Sequence, residues 1–132
     1  MRAAELLLAG EARDASTARR FLQSTLTSWD AEAHEEAAVL LLSELVANAA
    51  LHARTAVTVR LELEGRTLRL EVTDGSTRQP AVRHYGPRAT TGRGLGLVVA
   101  LAQRWGVQPG ETGKTVWAEL DDPSPKQRVS TQ

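Results

Sequence analysis

The stretch LLLSELVANAALHA, Leu40 to Ala53, decides how the chain is read. Glu44, Asn48 and His52 recur there every four residues, and nearly everything between them is Leu, Val or Ala. At 3.6 residues per turn such positions stack almost one above another, each about 6 Å further along a helix axis. The stretch therefore reads as the second half of one long helix with a narrow polar stripe. A helix that is apolar nearly all round is usually buried. An acid and an amide on such a surface need partners, since an unpaired buried polar group costs kilocalories. Water, protein or a ligand can supply them. On the helix alone a solvated edge is the ordinary reading, because Glu and Asn mostly sit outside.

Upstream, Asp30 is placed to cap this helix, and Glu32, Glu35 and Glu36 crowd its first turns, where acids suit the helix dipole. His34 lies among them without a partner pattern and reads as a surface residue. Before that, a helix is predicted from about Ala15 to Thr27, capped by Asp14 or Ser16. Ala18, Phe21, Leu22, Thr25 and Leu26 share its packing face, and Phe21 and Trp29 read as core or core-edge residues. Glu5 to Ala9 (ELLLA), ending at Gly10, fits a first strand.

Downstream the period changes to two. Val57, Val59, Leu61 and Leu63 alternate with polar residues, Glu64-Gly65-Arg66 turns the chain, and Leu68, Leu70 and Val72 alternate again. This predicts an antiparallel hairpin with one wet face. It ends at Thr73-Asp74-Gly75-Ser76. Thr77 to Thr91 follows, with two prolines, a glycine, several basic residues and no acid. A loop of that length in a compact domain is usually a lid, a binding loop or disorder. Gly92-Arg93-Gly94-Leu95-Gly96-Leu97 then opens into the apolar run VVALAQRW. A glycine-rich bend at a helix mouth exposes backbone N–H groups and adds the positive end of the dipole, which suits phosphate. The spacing fits neither a P-loop nor a dinucleotide fingerprint. The helix is expected to end at Trp105-Gly106, and Lys114 to Leu120 (KTVWAEL) reads as a last strand with Val116 and Ala118 on one face. Asp121 to Gln132 is polar and reads as a frayed tail, leaving residues 1–120 as one domain.

The totals exclude several classes. Lys plus Arg equals Asp plus Glu, at 16 each in 132 residues, which gives no support to a nucleic-acid or membrane-surface binder driven by bulk charge. There is no cysteine, hence no disulfide, thiol chemistry or Cys-ligated metal. No apolar run is long enough for a membrane span, and the first residues make a poor signal peptide, so a cytoplasmic location is expected.

Together, SELVANAALHA, EVTDGS, GRGLGL and GKTVWAEL resemble the boxes of the GHKL ATPase and kinase superfamily, from about Leu6 to Leu120. The nearest resemblance within it is to the small anti-sigma factor serine/threonine kinases and the short regulatory ATP-binding proteins of actinobacteria. It implies an α/β fold of the Bergerat type, a two-layer sandwich whose mixed, mainly antiparallel sheet carries helices on one face. It implies ATP and Mg²⁺ as cofactors. Glu44 matches the general base or orienting carboxylate, and Asn48 the magnesium ligand. Asp74 matches the acceptor of the adenine amino group. Gly92, Arg93, Gly94, Leu95 and Gly96 match the box that wraps the phosphates, and Thr115 the threonine behind the adenine pocket. Thr77 to Thr91 matches the lid, and His52 is either structural or a nucleotide contact. Mg²⁺ takes few protein ligands and leaves the rest to water and phosphate, so one amide suffices.

The implied activity is transfer of the γ-phosphoryl group to an anti-sigma factor antagonist. The implied partners are that antagonist and a sigma factor, with a homodimer compatible and neither nucleic acid nor membrane contacted directly. No dimerisation helix precedes the domain in this sequence, which argues against a complete histidine kinase. One departure stands out. The family's aspartate box has small residues two and four positions after the aspartate, where this chain has Ser76 and Arg78. That keeps a second reading open: a nucleotide-responsive binding module with little or no kinase activity.

Overall fold

The computed structural model describes residues 1–52, 55–75, 96, 98, 100–111 and 113–121, with the backbone alone for 50–52. In chain order these form β1 (Arg2–Leu8), α1 (Asp14–Ser28), a 3₁₀ turn (Glu32–His34), α2 (Glu35–His52), β2 (Val57–Glu64), β3 (Thr67–Asp74), β4 (Arg104–Pro109) and β5 (Lys114–Leu120). Residues 96, 98, 100 and 101 are helical. The strands make one five-stranded sheet in the order β1-β2-β3-β5-β4. All four pairings are antiparallel. With α1 and α2 packed on one side, the fold is the two-layer α/β sandwich that the family resemblance implies.

The hairpin follows directly from the alternation. Leu61 faces Leu70 and Val59 faces Val72 across the β2–β3 pair, so their side chains project from one face. Val116 and Ala118 extend that face onto β5. Against it pack Leu22 and Leu26 of α1 and Leu41, Leu42, Leu45 and Val46 of α2, all buried, together with Val98. Each fully buried branched side chain contributes about 1.5–3 kcal/mol, which makes this layer the main source of stability.

The opposite face is wet, as alternation requires, and its charges are paired. Arg60 bridges Glu5 and Glu62, Arg69 bridges Glu71 and Glu119, and Arg104 bridges Glu119 and Asp121. The Arg69 guanidinium also lies 4.3 Å from the centroid of the Trp117 ring. Trp117 rests in turn on Gly106, where an added Cβ would come within 2.9 Å of the indole. Arg104, then burial, then Arg69 act on Glu119, and the two arginines together hold its carboxyl below the usual carboxylate range.

Four local expectations are corrected. The long helix begins at Glu35, and Asp30 ends α1 instead of capping α2. Asp30 adopts a left-handed φ of 58°, the Ala31 N–H donates to Leu26 O at 2.8 Å and the Asp30 N–H to Thr27 O at 3.2 Å. This is the Schellman arrangement, with aspartate in the position glycine usually takes. His34 is buried, not on the surface, with Nε2 3.1 Å from Arg66 O at the hairpin turn. Asp14 lies inside the first turn of α1, and its buried carboxylate accepts from the Gly10 and Glu11 N–H groups, both at 2.9 Å. Trp105 and Gly106 do not end a helix but belong to β4, whose pairing with β5 sets Trp105 opposite Ala118.

Candidate functional site

The polar stripe of α2 follows the helix period. Ala38, Leu41, Leu42, Leu45, Val46 and Ala49 are buried against the sheet and α1, whereas Glu44 and Asn48 are half-buried on the outward side, in line with exposed Leu40. The stripe is thus a semi-sheltered edge, which leaves a carboxylate and an amide reachable from outside the core. The side chain of His52 lies outside the described residues.

Asp74 is the last residue of β3 and is 4% exposed. It lies in phase with Leu70 and Val72, so its carboxylate emerges on the helix-bearing face, at the end of the sheet. The residue opposite it on β5 is Lys114, which is 5% exposed. Lys114 Nζ lies 2.9 Å from one carboxylate oxygen of Asp74 and 3.3 Å from the other. Beside this pair the backbones of Gly113 and Asp74 approach closely, since a Cβ at Gly113 would fall 1.9 Å from the backbone oxygen of Asp74. The next residue, Gly75, donates its N–H to Thr55 Oγ1 at 2.9 Å. Thr55 follows α2 by three positions, so the last turns of α2 and the end of β3 are tied to one end of the sandwich. Gly10 secures the same corner. With φ +89°, a Cβ there would meet Thr55 O at 2.5 Å.

Thr115 takes a different position. It pairs with Thr73, and the two hydroxyl oxygens are 2.7 Å apart. Both side chains are out of phase with the core residues of their strands, so the plane of the sheet separates Thr115 from the Asp74 carboxylate. Gly96 is helical and exposed, with nothing within 4 Å of an added Cβ. A side chain at this position would meet open space, in a helical stretch whose Val98 enters the core. Gly92, Arg93, Gly94 and Leu95, along with the expected lid Thr77 to Thr91 and the departures Ser76 and Arg78, lie outside the described residues.

Lys114 is the residue that motif reading missed. Its signal was the strand period. Lys114, Val116, Ala118 and Leu120 share one phase, so a lysine in register with core residues had to find a buried anion.

Among the described residues no group of three or more His, Asp or Glu side chains converges as a metal cage. An ion there would be held by the Asn48 amide oxygen and otherwise by phosphate and water, which fits Mg²⁺ in so far as it dehydrates reluctantly and takes few protein ligands. Among the described residues no helix is long and apolar enough to cross a membrane.

The family model for the histidine kinase-like ATPase domain matches residues 8–120. The chain belongs to this family. The histidine kinase-like ATPase chain is also similar to the solved RsbU and RsbW domains of Rv1364c from Mycobacterium tuberculosis, with TM-score 0.69 and 21% identity over 92% of its length. It resembles the histidine kinase domain of the blue-light activated histidine kinase from Erythrobacter litoralis EL346, with TM-score 0.53 and 25% identity over 76% of its length. It spans 32% of the first structure and 50% of the second. Among curated proteins none matches it.

Proposed function

We propose that this chain binds Mg-ATP and acts as a protein serine/threonine kinase of the anti-sigma type, phosphorylating an anti-sigma factor antagonist in the cytoplasm. One observation carries the reading. The half-buried Glu44 and Asn48 of α2 and the buried Asp74 of β3 belong to elements joined at one end of the sandwich through Thr55 and Gly75. Phosphoryl transfer asks a protein mainly for positioning and charge neutralisation, plus one group to orient the nucleophile. When bound, Mg-ATP supplies the transferable phosphoryl group and the metal's charge. The chain supplies the rest. The Asn48 amide oxygen offers one ligand to the ion. The Glu44 carboxylate accepts the proton of a serine or threonine hydroxyl on the partner. Asp74 accepts a hydrogen bond from the base, and Gly96 receives phosphate together with Gly92, Arg93, Gly94 and Leu95. A sigma factor is a second partner in this reading, and a homodimer is compatible with it.

A specific observation favours a second reading, that of a nucleotide-responsive module with little transfer activity. The Asp74 carboxylate is already engaged by Lys114. Incubation of the chain with γ-labelled ATP and a co-encoded antagonist separates the two. Transfer that falls about 10²- to 10⁴-fold in Glu44→Ala, with ATP binding kept, identifies a general base. ATP binding without transfer to any candidate identifies the module. Asn48→Ala should lose the magnesium dependence of binding, and unchanged Mg-ATP affinity in that variant removes Asn48 from the site.

A further inference from the structure

We infer that Lys114 is a second base-reading residue, whose ammonium donates to the ring nitrogen adjacent to the amino group that Asp74 accepts. The inference rests on the nucleotide-binding reading of the site and goes beyond it by naming which edge of the base is read, and by what. Three observations carry it. First, the pair is nearly sealed, with side-chain exposures of 6% for Lys114 and 2% for Asp74. A buried ion pair is a poor stability device, because desolvation offsets the attraction and a hydrophobic pair of similar size often does as well. Second, the pair stands at the end of the sheet, where β3 stops and β5 starts, beside the exposed Gly75.

Third, the donor count is incomplete. An ammonium carries three N–H donors. Among the described residues Lys114 donates to Asp74, which takes two contacts. One donor thus remains for an acceptor outside that set. A carboxylate beside an ammonium presents an acceptor next to a donor. The edges of a 6-aminopurine present the complement: an amino donor flanked by N1 on one side and N7 on the other. Lysine suits this task, being a point charge on a flexible four-carbon stem that can shift without rebuilding the strand.

The test compares calorimetric affinities of the full chain for Mg-ATP, Mg-1-deaza-ATP and Mg-7-deaza-ATP, in the parent and in Lys114→Met. The parent should bind one of the two deaza analogues about ten-fold or more weakly than ATP, the usual loss for a hydrogen bond to a charged group. That penalty should vanish in Lys114→Met, which binds ATP and the analogue alike. A merely structural lysine would weaken all three nucleotides together. Where Lys114→Met does not fold by circular dichroism, the neutral pair Asp74→Asn with Lys114→Met takes its place, since the introduced carboxamide keeps an acceptor for the amino group. Equal binding of all three nucleotides by the parent overturns the inference. So does a penalty that persists without the lysine, or tighter ATP binding in the variant, which would make Lys114 a plug. A parent that binds none of the three overturns the nucleotide reading itself, and the inference with it.

Discussion

The two ends of β5 carry charge in opposite ways. At its start, Lys114 and Asp74 form one ion pair shut away from solvent. Near its end, Glu119 belongs to an open network with Arg69 and Arg104, which continues through Arg104 to Asp121. The first arrangement is costly to desolvate and fragile to single substitutions, while the second is screened by solvent and redundant. A buried pair is weak evidence for a stabilising role, since a hydrophobic pair of similar size often does as well. The candidate site is at the buried end.

The largest effect expected from this contrast is on stability. Lys114→Met leaves a buried carboxylate without its cation and should cost about 3–5 kcal/mol in a urea titration. Adding Asp74→Asn should recover most of that loss, because the uncompensated charge is then gone. If Lys114→Met is as stable as the parent, the pair is solvated in solution, and the two ends of β5 are alike. Gly113→Ala comes next. A Cβ at that position would fall 1.9 Å from Asp74 O, a backbone atom that cannot swing aside. The strands must separate locally, at a cost of about 1–3 kcal/mol or more by analogy with overpacking. Gly65→Ala is a useful control. Its φ of +61° carries conformational strain, but nothing lies within 4 Å of the added atom. It should therefore cost less than Gly113→Ala.

The same contrast explains what was legible in the sequence. The hairpin could be read residue by residue, because period-two alternation is a direct record of which face is buried. The α2 stripe was legible for the same reason at period four. Boundaries were harder. Asp30 has the chemistry of an N-cap, yet the local backbone hydrogen bonds that close α1 use it as a left-handed terminator of the preceding helix. His34 looked exposed because its partner, the carbonyl of Arg66, is a backbone atom 32 positions away that no side-chain pattern reveals. Trp105 and Gly106 looked like a helix end, since Gly is a common terminator. Gly106 is glycine because the Trp117 indole occupies the space of its Cβ. Of the candidate site residues, Glu44, Asn48 and Asp74 were picked out by motif. Lys114 needed the strand phase, which the motif match passed over in favour of its neighbour Thr115.

The smallest effect belongs to the open end of β5, and pH measures it. Arg104, and with it Arg69, holds the Glu119 carboxyl below its ordinary value of 4.5. The folded chain therefore binds this proton less readily than the unfolded chain. Glu119 then contributes stability that is complete above the unfolded value and is lost as pH falls through the lowered folded one. Asp121, lowered from 3.8 chiefly by Arg104, acts in the same direction. In Glu119→Gln, stability measured by urea unfolding should lie slightly below the parent's at neutral pH, by less than about 1 kcal/mol as solvent-screened pairs generally do. The gap should close on acidification past the carboxylate range and narrow with added salt. A gap that stays constant across that range would mean Glu119 supports β5 by packing and not by its charge. The open network would then be as much a structural fixture as the sealed pair at the other end.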